Sequence, residues 1–141
     1  MNNLLFLACG VISTVLGMIW FGPLFGKQYR KYCGVTPEME RAIRNDPKAK
    51  TQMMKSAAIA FVASVFMAYM LSGLIETGQI FYHVSNLAAA VAVPIFMWFG
   101  FVVPPTLGMV LWENKKWGHW FLVASFWLVY MVLAGCLIVY A

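Results

Sequence analysis

Charge is what this sequence has least of: only 11% of its 141 residues are Asp, Glu, Lys or Arg. Where charge is missing matters more than how much. Residues 1–26, 56–75, 77–112 and 117–141 carry none. A membrane-crossing helix needs about 20 consecutive apolar residues, and each of the four runs is long enough. With 62% hydrophobic residues, a soluble domain of this length could not hide its apolar surface. The runs are continuously apolar rather than alternating, which favours helices over a transmembrane β-barrel. No ionisable carboxylate or amine lies deep in a run, which argues against a carboxylate-driven pump, since proton and ion pathways are marked by such groups. Cysteine is scarce, with Cys9, Cys33 and Cys136 scattered and odd in number. They form neither a disulfide framework nor a metal-ligand spacing. His83 and His119 are expected on opposite sides of the bundle, and no nucleophile–base motif is visible. No enzyme, cofactor or metal is therefore expected. Ten methionines would suit copper only if clustered; Met67 and Met70 lie close but lack partners, so they read as apolar bulk. The start, "MNNLLFLACG", has no positive n-region, so no cleaved signal peptide is expected.

The basic residues that are present are sharply placed. Eight of the ten lie between Lys27 and Lys55, and the other two are Lys115 and Lys116. The positive-inside rule puts both of these loops in the cytoplasm and both termini outside, in a cytoplasmic membrane of bacterial type. Attraction to anionic lipid, about 1 kcal/mol per basic residue near the surface, accompanies that topology. The excess needs no nucleic acid to explain it.

The expected fold is an all-α integral membrane protein, a single domain over 1–141. Its four transmembrane helices run over about 3–22, 53–75, 86–112 and 118–140. A short amphipathic cytoplasmic helix joins the first two. "TPEMERAIR" supplies that helix: Thr36 caps it, Pro37 fits its first turn, and Glu38 and Glu40 favour its positive end. Asp46-Pro47 repeats the cap for helix two, which could start there in water. Residues 76–86 read as a short external loop.

Small residues mark packing seams. Gly10, Thr14 and Gly17, with Ser13, line one side of helix one. Ser56, Ala60, Ser64, Ala68 and Ser72 recur every fourth residue in helix two, a ridge that suits close backbone approach. The other reading of that ridge is a polar path made by its three serines. Trp20, Trp112, Trp117 and Trp120 read as interfacial anchors.

Helix three holds Pro94, Pro104 and Pro105. Pro104 and Pro105 lack the N–H groups that would bond the Gly100 and Phe101 carbonyls, and lipid cannot satisfy a free carbonyl. Gly100, Phe101, Pro104, Pro105 and Thr106 therefore form the candidate solute or ion site, by analogy with the broken helices of transporters. The alternative is a kink patched by neighbours such as Thr106. Lys27 and Glu113 form a candidate ion pair at the cytoplasmic interface. "WFG" occurs at the end of helix one and again in helix three, a hint of parallel duplication.

"WFGPLFGKQYRKYCGVTPEME" and "WFGFVVPPTLGMVLWENKKWGHWFLVASFWLVYMVLAGCLIVY" resemble the small four-helix membrane family catalogued as domain of unknown function 1761. Phe25-Gly26-Lys27 and Trp112-Glu113 carry the most specific part of the resemblance, which covers almost the whole chain. It implies polar amides just before the Trp-Glu pair, where Gly108 and Met109 stand here. It implies a fold and no activity.

Two functions remain open. One is a non-enzymatic, homo-oligomeric transport protein, or one that binds a lipid or small solute at the broken third helix. The alternative is a structural or accessory subunit whose small-residue seams dock onto a larger membrane complex. Four helices enclose little volume, so either reading calls for partner chains besides the surrounding lipid.

Overall fold

The computed structural model describes residues 3–141, and among these it is all helix and turn. The chain forms α1 (Asn3–Ile19), a π-helical turn (Trp20–Leu24), α2 (Gly26–Cys33), α3 (Pro37–Asn45) and α4 (Pro47–Tyr82). It continues with α5 (Asn86–Met97), a second π-helical turn (Trp98–Val102), α6 (Val103–Leu111) and α7 (Trp117–Tyr140). Four continuous helices, Asn3–Leu24, Pro47–Tyr82, Asn86–Leu111 and Trp117–Tyr140, are long and apolar enough to cross a membrane.

The helix starts follow the capping chemistry of the sequence. Thr36 Oγ1 accepts the Met39 N–H at 3.2 Å, with Pro37 in the first turn of α3. Asp46 Oδ1 accepts the Lys48 N–H at 3.0 Å ahead of Pro47. Ser85 Oγ accepts the Ala88 N–H at 3.3 Å and opens α5. Each cap satisfies an N–H that the helix cannot.

Three expectations need correction. The connection after helix one holds two short helices, not one. The additional one, α2, ends at Gly34, whose φ of 73° lets the Val35 N–H turn back to Arg30 O at 3.0 Å. A left-handed glycine there is the usual helix stop. Secondly, α4 runs on past residue 76 to Tyr82, so the expected loop over 76–86 shrinks to 83–85. No proline interrupts that stretch, and Thr77 Oγ1 bonds back to Gly73 O at 2.8 Å. His83, at φ 52°, ends the helix and the Val84 N–H returns to Gly78 O.

Thirdly, the four-residue ridge of helix two is buried along only part of its length. Ser64, Ala68 and Ser72 are buried, whereas Ser56 and Ala60 are exposed. A four-residue step advances about 40° beyond a full turn, so over two further steps the ridge rotates out of its contact. On α1, Gly10 is buried and Thr14 and Gly17 are half-buried. A Cβ on Gly10 would lie 2.6 Å from Val65 Cγ2 and 2.8 Å from Phe61 Cε2, so here α1 and α4 touch most closely.

α7 is the helix against which α1, α4, α5 and α6 all pack. Its tightest contact is with α5, where Ala89, Ala90 and Pro94 meet Ala134 and Gly135, all five buried. A Cβ on Gly135 would overlap the Ala90 carbonyl oxygen and crowd Pro94 Cγ. Ala90 O is the carbonyl whose helical donor is lost at Pro94. The glycine lets a second backbone close on it, where Cα–H groups can face the oxygen. A buried polar knot ties the centre of the bundle. Ser13 Oγ and Ser64 Oγ lie 2.7 Å apart, Ser64 Oγ donates to Ala60 O at 2.9 Å, and Tyr130 donates its hydroxyl to Ser64 O at 2.8 Å.

Candidate functional site

The double proline of helix three is absorbed by a change of helix type. In the π-helical turn Trp98–Val102 the Val103 N–H reaches back five residues to Trp98 O. A fresh α-helix then starts at Val103, which puts Pro104 and Pro105 in its first turn. There a missing N–H is not needed. The first proline-bearing exit uses the same device: in Trp20–Leu24, which contains Pro23, the Phe25 N–H bonds Trp20 O at 3.0 Å.

Both π turns begin at a Trp-Phe-Gly stretch, and both tryptophans reach α7. Trp20 Nε1 donates to Leu122 O at 3.0 Å, and Trp98 Nε1 donates to Ala124 O at 2.8 Å. Two residues span about 200° of a helix, so the indoles hold α7 from opposite sides. π turns inside α-helices commonly sit at functional positions.

Beside the second break lies a groove of about 370 Å³. Met67, Met70, Leu71 and Leu74 of α4, Met97 of α5, Phe101 and Val102 of the π turn and Met131 of α7 line it. None of these side chains carries a charge or a strong hydrogen-bonding group. Three helices thus bring four methionines to one place. The sequence shows Met67 and Met70 as neighbours but gives no sign that Met97 and Met131 join them.

The five candidate residues of the break are distributed rather than converged. Phe101 lines the groove. Gly100, Pro104 and Pro105 are exposed. A Cβ added to Gly100 would meet nothing within 4 Å. Thr106 turns inward, but its hydroxyl bonds Val102 O and Val103 O, not the Gly100 and Phe101 carbonyls that the prolines release. The same hydroxyl accepts the Trp120 indole N–H at 3.0 Å.

Trp120 is therefore no open anchor. It is buried at 8% exposure in the first turn of α7, with its indole N–H on Thr106. Trp20 is half-buried and engaged with α7, while Trp112 and Trp117 are exposed as an anchor would be. Lys27 and Glu113 do not pair. Both side chains are exposed, and the ion pairs among the described residues converge on Glu40 instead, from Arg30 at 3.2 Å and Arg44 at 2.8 Å. Arg30 sits on α2, the helix that the sequence reading left as loop, and from there it reaches α3.

One constellation escaped the sequence reading entirely. Cys33 Sγ lies 3.6 Å from His119 Nδ1, although 86 residues separate them. Tyr29 stacks on the imidazole with ring centroids 5.3 Å apart and planes 25° apart. Burial pushes the Tyr29 phenol above its ordinary pKa, and the charge of the neighbouring Cys33 and a hydrogen bond to it act in the same direction. The only signal was the i, i+4 spacing of Tyr29 and Cys33, which has meaning once α2 is a helix. Among the described residues, no group of three or more His, Cys, Asp or Glu side chains is placed to hold a metal.

Among the described residues, fold and site together define an all-helical protein with four helices of membrane-crossing length, the third of which passes through a π-helical turn beside an apolar groove. The family described as "Protein of unknown function (DUF1761)" matches residues 4–139, and the chain belongs to it. No curated protein and no solved structure matches the chain.

Proposed function

We propose that this is an integral membrane protein that binds an apolar small molecule or a lipid acyl chain in the methionine-lined groove beside the broken third helix. The observation that carries the reading is the groove itself, with its wholly apolar lining and a volume of about 370 Å³. Small-molecule sites span roughly 300–1,000 Å³ and are mostly apolar. Methionine suits such a site because its flexible, polarizable chain can refit to different guests. The Gly100 and Phe101 carbonyls, left without α-helical donors by Pro104 and Pro105, supply acceptors next to the groove for a guest with a polar end. Alternating exposure of the groove by a hinge at the π turn would turn binding into transport.

The accessory-subunit reading has less support. The seams that motivated it are largely used within the chain, at Gly10 against Phe61 and Val65 and at Ser64 against Ser13. The exposed Ser56 and Ala60 remain free for a second copy in a homo-oligomer.

Binding is tested with the fluorescent polyene fatty acid cis-parinaric acid and detergent-solubilised protein. Replacing Met67 and Leu74 with Phe should fill the groove and weaken binding at least tenfold, while changing stability little because both positions are at the edge of the core. Unchanged affinity in the filled variant rejects the groove as the site.

The proposed orientation has both termini outside and the basic loops in the cytoplasm, held by ten basic residues on one side. In intact spheroplasts, a cysteine replacing Ala141 should react with an impermeant maleimide and one replacing Lys116 should not. The reverse pattern would invert the topology.

A further inference from the structure

We propose that Cys33 is a nucleophilic thiol that accepts an acyl group from an acyl-coenzyme A thioester, with His119 taking its proton. Three features distinguish this thiol from an ordinary surface cysteine. Its sulfur lies 3.6 Å from His119 Nδ1, within hydrogen-bond range for sulfur. The imidazole is 4% exposed and is covered by the stacked Tyr29 ring, so it is held in place rather than free to swing into water. Cys33 itself is exposed at the last residue of α2, where a substrate can reach it. A nucleophile, a base in contact with it and a third group orienting the base is the general arrangement of thiol catalysis.

The cluster is built by helix packing and not by chance rotamers. α2 lies against the start of α7, with the Tyr32 ring occupying the space that a Cβ on Gly118 would need. Tyr29, one turn before Cys33, stacks on the imidazole that faces the same sulfur, and burial, with Cys33 beside it, pushes its phenol above its ordinary pKa. A thiolate formed there has a donor in the protonated imidazole.

The substrate class follows from chemistry and position. The sulfur of Cys33 attacks the thioester carbonyl carbon while His119 Nδ1 takes the thiol proton. The tetrahedral intermediate collapses with cleavage of the bond to the coenzyme A sulfur, and that thiolate leaves with the proton from His119. One thioester replaces another, so no oxidant or reductant is needed. The carrier is anionic, and the elements around the thiol are basic: Lys27, Arg30 and Lys31 on α2, with Lys115 and Lys116 just before α7. Their acidic neighbours are Glu38, Glu40 and Glu113, and Glu40 is already bound by Arg30 and Arg44. α2 follows directly on the apolar run of helix one, so an acyl chain on Cys33 can enter the apolar layer beside it. Cysteines at such a border are the usual acceptors of acyl groups.

The purified protein is incubated with palmitoyl-coenzyme A in detergent micelles and followed by intact-mass and peptide spectrometry. A single acyl adduct on Cys33 is expected, removed by neutral hydroxylamine and absent in Cys33→Ser. His119→Gln should lower the initial rate about a hundredfold or more, the range of a lost general base. Because His119 is buried, a second comparison guards against misfolding. A thiol placed elsewhere on α2 with the basic residues kept, in the Cys33→Ser/Gln28→Cys variant, should acylate at least tenfold more slowly than Cys33 of the unaltered chain. No adduct on Cys33, or equal rates for the two thiols, overturns the proposal.

Discussion

Replacing Gly135 by alanine should destabilise the bundle by about 3 kcal/mol, the upper end of what overpacking does. In detergent this is a fall of about 10 °C in melting temperature. The effect is large because the obstacle is backbone. The new methyl would overlap the Ala90 carbonyl oxygen and crowd the Pro94 ring. A flexible side chain could step aside, but here α5 would have to move as a unit, carrying the buried Ala89, Ala90 and Pro94 with it. It would also push the Ala90 carbonyl away from the α7 backbone. The contrast is Gly73→Ala, which changes the same atoms where nothing lies within 4 Å. That change should be neutral or slightly stabilising, since alanine is the better helix former by about 1 kcal/mol. Equal melting temperatures for the two variants would show that α5 and α7 do not meet as described.

Gly135 also shows how far the sequence could be read. The four apolar runs gave the helices, because length and absence of charge are local properties of the chain. The caps at Thr36 and Asp46 were equally local: a side chain and an N–H two or three residues away decide them. Seams on helices one and two were visible as periodic small residues. The close contact at Gly135 was not, since a lone glycine in a final helix rich in aromatics has no period to announce it. Its reason lies on another helix, at Pro94.

The candidate site divides along the same line. Pro104 and Pro105 pointed to a kink or unwinding over residues 100–106; a π-helical turn stands at Trp98–Val102, and helix three runs on from Asn86 to Leu111. What the break adjoins depends on which residues of α4, α5 and α7 come together, so the groove and its Met97 and Met131 were not legible. Thr106 does not reach the released carbonyls, for a local reason. A threonine hydroxyl in a helix bonds three or four residues back, which from position 106 is Val103 and Val102 and falls short of Phe101 and Gly100. Cys33 and His119 were each read alone, because α2 looked like a charged loop. Its folded face is made of tyrosines, so no aliphatic stripe marked it as a helix.

Tyr130 offers the cleanest separation of packing from hydrogen bonding in this molecule. Its side chain is fully buried at 0% exposure, the largest to be so, and it sits edge-on to Trp127 at 6.0 Å. Its hydroxyl donates to Ser64 O, next to the Ser13–Ser64 contact that joins α1 to α4. Tyr130→Phe keeps the ring and removes the donor. Ser64 O retains its helical partner, so the loss should be that of one interhelical bond, about 0.6–1 kcal/mol. Tyr130→Ala removes the ring as well and opens a cavity where α1, α4 and α7 meet, which should destabilise by about 3–5 kcal/mol. Since α7 is the helix on which the others pack, that loss should unfold the bundle cooperatively rather than fray one end. Both variants are measured by denaturant titration in mixed micelles, following far-ultraviolet dichroism and tryptophan fluorescence together. A Tyr130→Phe loss as large as the Tyr130→Ala loss would mean that the polar knot, and not packing, holds the centre. Two separate transitions in Tyr130→Ala would mean that α7 is not the common support of the other helices.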